Sequence, residues 1–337
     1  MALPTRLRGI LHPEGGHAQG PGSFEGWYFK LVSADASQRW AIIPGIFRGA
    51  AADDGRADEA FVQVLDGSTG RSWYHRFPAH AFAAAPDRLD VRVGPNRFTA
   101  DAIELELPGL RGTVRITSQL DPWPVRLWSP GVMGWYAWVP SMECYHGVCS
   151  FGHDLAGTLL IDGAATSFDG GRGYIEKDWG QAFPAGYLWL HSNTFAGSDA
   201  SLMASVALIP WRGREFRGFI VGLRVEGELY RFATYNGSRS VRLAVDDQHV
   251  SWTLASRRLP GGRAPLQLEL SAERVSGGLL HAPIRTQMHK RVEETLDASV
   301  QVRLTRGDEV LFAGVGTAAG LEVHGETERL LLTSEQR

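Results

Sequence analysis

Between Phe168 and Pro184 the chain reads FDGGRGYIEKDWGQAFP, which places Tyr174, Glu176, Lys177, Asp178 and Trp179 within six residues. Only 21% of the chain is charged, so two carboxylates and an ammonium beside a tryptophan form a local concentration of chemistry. If this stretch is extended, Tyr174, Glu176 and Asp178 share one face, and Ile175, Lys177 and Trp179 share the other. Carboxylates two residues apart on one face stand about 7 Å from each other. Sheltered from water, one of them would keep its proton near neutral pH, which is how a protein makes a general acid. The competing reading is a solvated strand end with a Lys–Glu pair.

Two other segments share this character, GSFEGWYFK (22–30) and WSPGVMGWYAWVPSMECYHGVCSFGHDLAG (128–157). The continuation GYLWLHSN puts Tyr187, Trp189, His191 and Asn193 on one face of a strand, suited to a pocket wall or to an ordinary barrel strand. Cys144, His146, Cys149 and His153 suggest a zinc set, but alternation sends Cys144 and His146 one way and the other two the opposite way unless a bulge intervenes. Neither a metal nor a Cys144–Cys149 disulfide is expected. Glu143 lies on the opposite face from His146. No G-x-S-x-G elbow, phosphate-binding glycine loop or dinucleotide fingerprint occurs.

The elements that must position these groups are strands. RLDVRV (88–93), RFTADAIELEL (97–107) and GTVRITSQL (112–120) alternate apolar and polar residues between glycine-rich turns. GELYRFATY (227–235), SVRLAV (240–245) and LQLELSAERV (266–275) repeat the style. One short helix is expected near residues 286–295. WYFKLVS (27–33), WAIIPGIFRG (40–49) and AFVQVLDGSTGRSWYHRF (60–77) form a series echoed by YLWLHSN (187–193), LMASVALIPWRG (202–213) and GFIVGLRVEGELYRFATY (218–235). The chain therefore reads as all-β and duplicated, with units at 1–183 and 184–337.

The 337 residues carry a formal net charge of −3 and no basic block, which argues against nucleic acid as a partner. Eleven Trp and fifteen Phe suit a pocket for a large apolar ligand. No apolar run reaches the roughly 18 residues of a membrane span, and no signal peptide is read at the start. A cytoplasmic protein is expected, with peripheral membrane contact for taking up a greasy substrate.

The same three segments, SFEGWYFK, PGVMGWYAWVPSMECYHGVCS and GYIEKDWGQAFPAGYLWLHSN, resemble the tocopherol cyclase family. LHAPIRTQMHKRVEETLDASVQVRL and AAGLEVHG resemble its C-terminal half. The resemblance implies two lipocalin-like antiparallel barrels side by side and a cofactor-independent cyclase that closes a chroman ring from a prenylated hydroquinone. Carried over by motif, Glu176, Glu143, His146, Tyr174 and Asp178 become catalytic candidates. Glu25, Trp27, Tyr28, Trp135, Tyr145, Trp179, Trp189, His191 and Asn193 become substrate-binding candidates. Plant members have Asn at the position of Asp178 and Gln at that of His191.

Ring closure needs a proton on an unactivated alkene, so its acid must be held protonated. Glu176 is the expected donor, Glu143 or His146 the acceptor of the phenol proton. Trp27, Tyr174, Trp179 and Trp189 are expected to stabilise the cation, at about 0.5–2 kcal/mol per ring. A hydratase, a pericyclic cyclase of Diels–Alder type and a non-catalytic isoprenoid-lipid binder are the rival readings.

Overall fold

Period-two alternation builds antiparallel strands throughout, and their apolar faces must be buried by curling each sheet around its own core. The computed structural model describes residues 5–17, 20–50, 58–140, 142–258 and 264–331. The chain falls into two units, one of residues 1–183 with 278–292, the other of residues 184–277 with 293–337.

In the first unit the opening strand Ser23–Val32 lies between Arg39–Arg48 and Gly171–Gly180. On one side the sheet continues through Glu59–Asp66 to Ser72–Pro78. On the other side it passes from Gly171–Gly180 to Cys144–Ile161 and on through Leu110–Ile116 toward Phe82–Ala84. Trp27, Phe29, Leu31, Cys149 and Ile175 enter its core.

The second unit has the same connectivity. Gly186–Ser192 lies between Ser201–Trp211 and Glu309–Gly325, and the order runs out to Glu228–Ala233 on one side and Arg239–Val245 on the other. Pro44 and Pro210 each sit on the second strand of their sheet. Leu188, Leu190, Val206 and Val221 belong to this unit's own core.

Three expectations meet the structure differently. The chain is nearly all β, but the two large sheets do not close into barrels: among the described residues no ladder joins Ser72–Pro78 to Phe82–Ala84, or Glu228–Ala233 to Arg239–Val245. At each of those links a 3-10 turn, Ala79–Ala81 or Thr234–Asn236, takes the place of a pairing hairpin. Residues 286–295 do not form a helix, because Gln287–Arg306 is one long strand whose burial alternates toward its C-terminal end. There the ladder to Glu309–Gly325 outweighs the helix propensity of Glu293 and Glu294. The competing reading of 173–179 as a solvated strand end is not met, since both faces of Gly171–Gly180 are largely buried, as are those of Ser23–Val32. Among the described residues no helix is long and apolar enough to cross a membrane.

Candidate active site

Gly171–Gly180 is a central strand with antiparallel neighbours on both sides. Its register sets Glu176 between Tyr28 and Val148, and Asp178 between Gly26 and His146. Directly opposed cross-strand side chains meet at about 5 Å, so residues far apart in sequence become a cluster. The strand ends at Gly180, whose φ of +153° suits glycine, and where a Cβ would come within 2.2 Å of the Glu143 carbonyl oxygen. That contact explains the glycine after Asp178-Trp179.

On one face the Tyr174 hydroxyl donates to Glu176 Oε2 at 2.5 Å. His146 Nε2 stands 3.5 Å from the same oxygen, and His146 Nδ1 lies 2.8 Å from Asp178 Oδ1. Glu176 is 4% exposed. Burial alone would discharge the His146 ring, but the Asp178 and Glu176 carboxylates outweigh it and lift the imidazole from 6.5 to about 9. Burial and Glu176 push the Tyr174 phenol well up, so it stays a donor. The result is a proton store, His146, between two carboxylates. Tyr28 completes this face, its ring edge-on to Tyr174 with centroids 6.5 Å apart.

The ligand atoms of His146, Glu176 and Asp178 lie within 4.8 Å of one another, close enough for a divalent cation. A metal there would have to displace the imidazole proton. The zinc set considered from sequence is not gathered: Cys149 enters the core, His153 Nδ1 pairs with Ser150 Oγ at 3.0 Å, and both cysteines are free thiols.

His146 supports a pH prediction. Its folded pKa is raised above 6.5, so its contribution to stability is complete below 6.5 and is lost as pH rises through about 9. Asp178→Asn removes the larger of the two favourable charges, and the His146 titration is expected to fall by about 1–3 units. Histidine NMR titration of the two proteins checks this, and an unmoved midpoint would show that Asp178 does not set it.

The opposite face carries a second polar cluster, in which sequence reasoning named Lys177 and Glu25 but neither their pairing nor His17. Lys177, fully buried, pairs with Glu25 Oε1 at 3.3 Å, donates to the Gly15 carbonyl and approaches His17 Nδ1 at 2.6 Å. Glu25 also accepts the His17 backbone N–H. Burial and Lys177 hold His17 down at about 3, so it is neutral, with Nε2–H donating to the Gly9 carbonyl. Burial lowers Lys177 to about 8, which leaves it charged at neutral pH above the Trp27 ring at 4.2 Å. The signal was present in the alternation, since Lys177 shares the core-facing side with Ile175. Lys30, also fully buried, belongs instead to the first face: it is the cross-strand partner of Tyr174 and shares a side of its strand with Tyr28.

The structure therefore assembles Tyr174, Glu176, Asp178, His146 and Tyr28. Trp27 and Trp179 do not wall Glu176, because alternation turns them to the other face. Trp27 Nε1–H donates to the Glu14 carbonyl, and Trp179 stacks between His17 and Tyr145. Glu143 stands one residue before its strand and gives its carboxylate to Arg285 Nη2 at 3.4 Å. Trp135 is exposed on the 3-10 segment Gly131–Trp138. Trp189, His191 and Asn193 are buried in the second unit, where Trp189 and His191 face away from the core that takes Leu188 and Leu190.

Known proteins resemble this chain in sequence and in fold. A rice protein (Oryza sativa subsp. japonica) named probable tocopherol cyclase, chloroplastic, is 28% identical over 130 residues, covering 36% of this chain and 24% of its own length. The maize (Zea mays) tocopherol cyclase, chloroplastic, is 26% identical over 205 residues, covering 57% of this chain and 41% of its own length. The chain thus spans less than half the length of either plant relative. The crystal structure of CghA aligns with a TM-score of 0.56 at 12% identity, over 90% of this chain and 88% of that one, a likeness of fold. A family model described as tocopherol cyclase-like matches residues 120–325, more than half of the chain and inclusive of His146, Tyr174, Glu176 and Asp178. The chain belongs to the tocopherol cyclase-like family.

Proposed function

We propose that this chain is a cofactor-independent cyclase that closes a chroman ring by acid-catalysed addition of a phenol to the alkene of a prenylated hydroquinone. The observation that carries the reading is the buried Tyr174–Glu176–His146–Asp178 chain, which sets a held proton beside a carboxylate.

Asp178 takes the Nδ1 side of the imidazolium and leaves Nε2–H facing Glu176. Transfer from Nε2 to Oε2 makes Glu176 a neutral acid, with Tyr174 holding that oxygen in place. Glu176 then gives the proton to the alkene carbon that leaves a tertiary cation. The phenol oxygen attacks the cation, and its proton goes to the neutral His146 Nε2, which restores the imidazolium. A C–H and a C–O bond form while the alkene π bond and the O–H bond break, so substrate and product are isomers and no oxidant is required. The faces of Tyr28 and Tyr174 can stabilise the cation by about 0.5–2 kcal/mol each without trapping it as a nucleophile would.

Incubation with a prenylhydroquinone, followed by mass analysis, tests the reading. A product of equal mass and altered retention is expected. A gain of one water would assign a hydratase instead, and tight binding without conversion would assign a carrier.

A further inference from the structure

From Pro122 to Pro140 the chain contains four tryptophans and one tyrosine, a single arginine, and no Asp or Glu. At its centre lies a two-stranded hairpin in which Val125 pairs with Pro130 and Arg126 with Ser129. Leu127 and Trp128 are therefore the two turn residues. Asn, Asp and Gly usually take such positions, because their backbones suit the turn and their side chains suit water. Here Leu127 is 60% exposed and Trp128 73% exposed, with Trp135 exposed nearby in sequence at 45%. Exposed indole and leucine at a projecting tip break the local rule, and such breaks mark function.

The excursion is anchored at both ends on the strand that carries His146. At its start, the Trp123 N–H donates to the Val148 carbonyl at 3.0 Å. At its end, the Tyr145 hydroxyl donates to the Val139 carbonyl at 2.5 Å. Within it, Trp138 Nε1–H donates to the Leu127 carbonyl at 3.0 Å and braces the turn. The two anchors flank His146 along the strand, but the Tyr145 ring stacks on Trp179 and so lies on the face opposite His146.

We propose that the Leu127–Trp128 tip, with Trp135, inserts into the interfacial layer of a lipid bilayer. Tryptophan favours that layer, where its ring is shielded and its N–H stays wet. Arg126, exposed at the base of the turn, suits an anionic headgroup, and no carboxylate in the segment opposes it. A projecting tip of two side chains penetrates a bilayer, whereas it offers little flat area to a protein partner. The membrane contact is independent of the cyclase reading.

The test uses the full chain and sedimentation with vesicles of phosphatidylcholine, with and without phosphatidylglycerol. The wild type is expected to sediment with the mixed vesicles and to show a blue shift in tryptophan emission. The double variant Leu127→Ser/Trp128→Ser should lose vesicle partitioning by on the order of tenfold or more with its melting temperature unchanged. Equal partitioning of variant and wild type, or a wild type that ignores vesicles, would overturn the proposal. So would a wild-type dimer in light scattering that the variant dissolves, since a second copy would then cover the tip. Vesicle binding is read without substrate, so a failure to find cyclised product would leave it standing.

Discussion

Glu176→Gln is expected to lower turnover by about 10²–10⁴-fold, the range a general acid contributes, while ligand affinity and melting temperature stay near wild type. The amide keeps the shape and can still accept the Tyr174 hydroxyl, which donates to Oε2 in the wild type. What it lacks is a proton acidic enough for an alkene. His146 should remain a base in this variant, with a lower titration midpoint, because Glu176 is one of the two charges that raise it. A midpoint that falls while turnover collapses separates loss of the acid from loss of the fold. Glu143→Gln should be milder, since His146 accepts the phenol proton. Near wild-type turnover by Glu176→Gln would remove Glu176 from the mechanism and leave the His146 imidazolium as the candidate donor.

Lys177→Met is expected to destabilise the protein by about 3–5 kcal/mol, the usual cost of removing one partner from a buried ion pair. The methionine fills the stem's volume but leaves the Glu25 carboxylate facing the core without its ammonium. The His17 and Gly15 contacts to Nζ go with it, and these tie residues 9–17 to the central strand. The loss should be greatest near neutral pH and shrink in acid, where a buried carboxyl is neutral. Lys177→Met/Glu25→Gln should recover much of the stability, because the uncompensated charge is gone. Denaturant melts of the single and double variants check both statements. A single variant as stable as the wild type would mean that the pair contributes nothing.

The run at 173–180 thus serves two faces. Lys177 and Trp179 hold the sheet to the N-terminal segment, while Tyr174, Glu176 and Asp178 form the acid chain on the other side. This explains how a chain that is 21% charged gathers so many ionisable groups in six residues.

The sequence by itself determined the all-β class and, once 173–179 is extended, the sharing of one face by Tyr174, Glu176 and Asp178. Alternation is a property of the local backbone, which any extended segment must obey. It also turned Trp27 and Trp179 away from Glu176, although the expected aromatic wall disregarded it. Tertiary structure decided what alternation leaves open: the partner across each strand, the burial of both faces and the seat of the proton. His146 is 30 residues from Glu176 in sequence, and only the antiparallel register of Cys144–Ile161 on Gly171–Gly180 sets them together. The tuning of His146 to about 9 follows from that register, because it depends on two carboxylates within a few ångströms and on the water excluded around them. The strand at 287–306 was decided in the same way, by a long-range ladder whose free energy exceeds local propensity, and the openness of the sheets by which outermost strands find no partner.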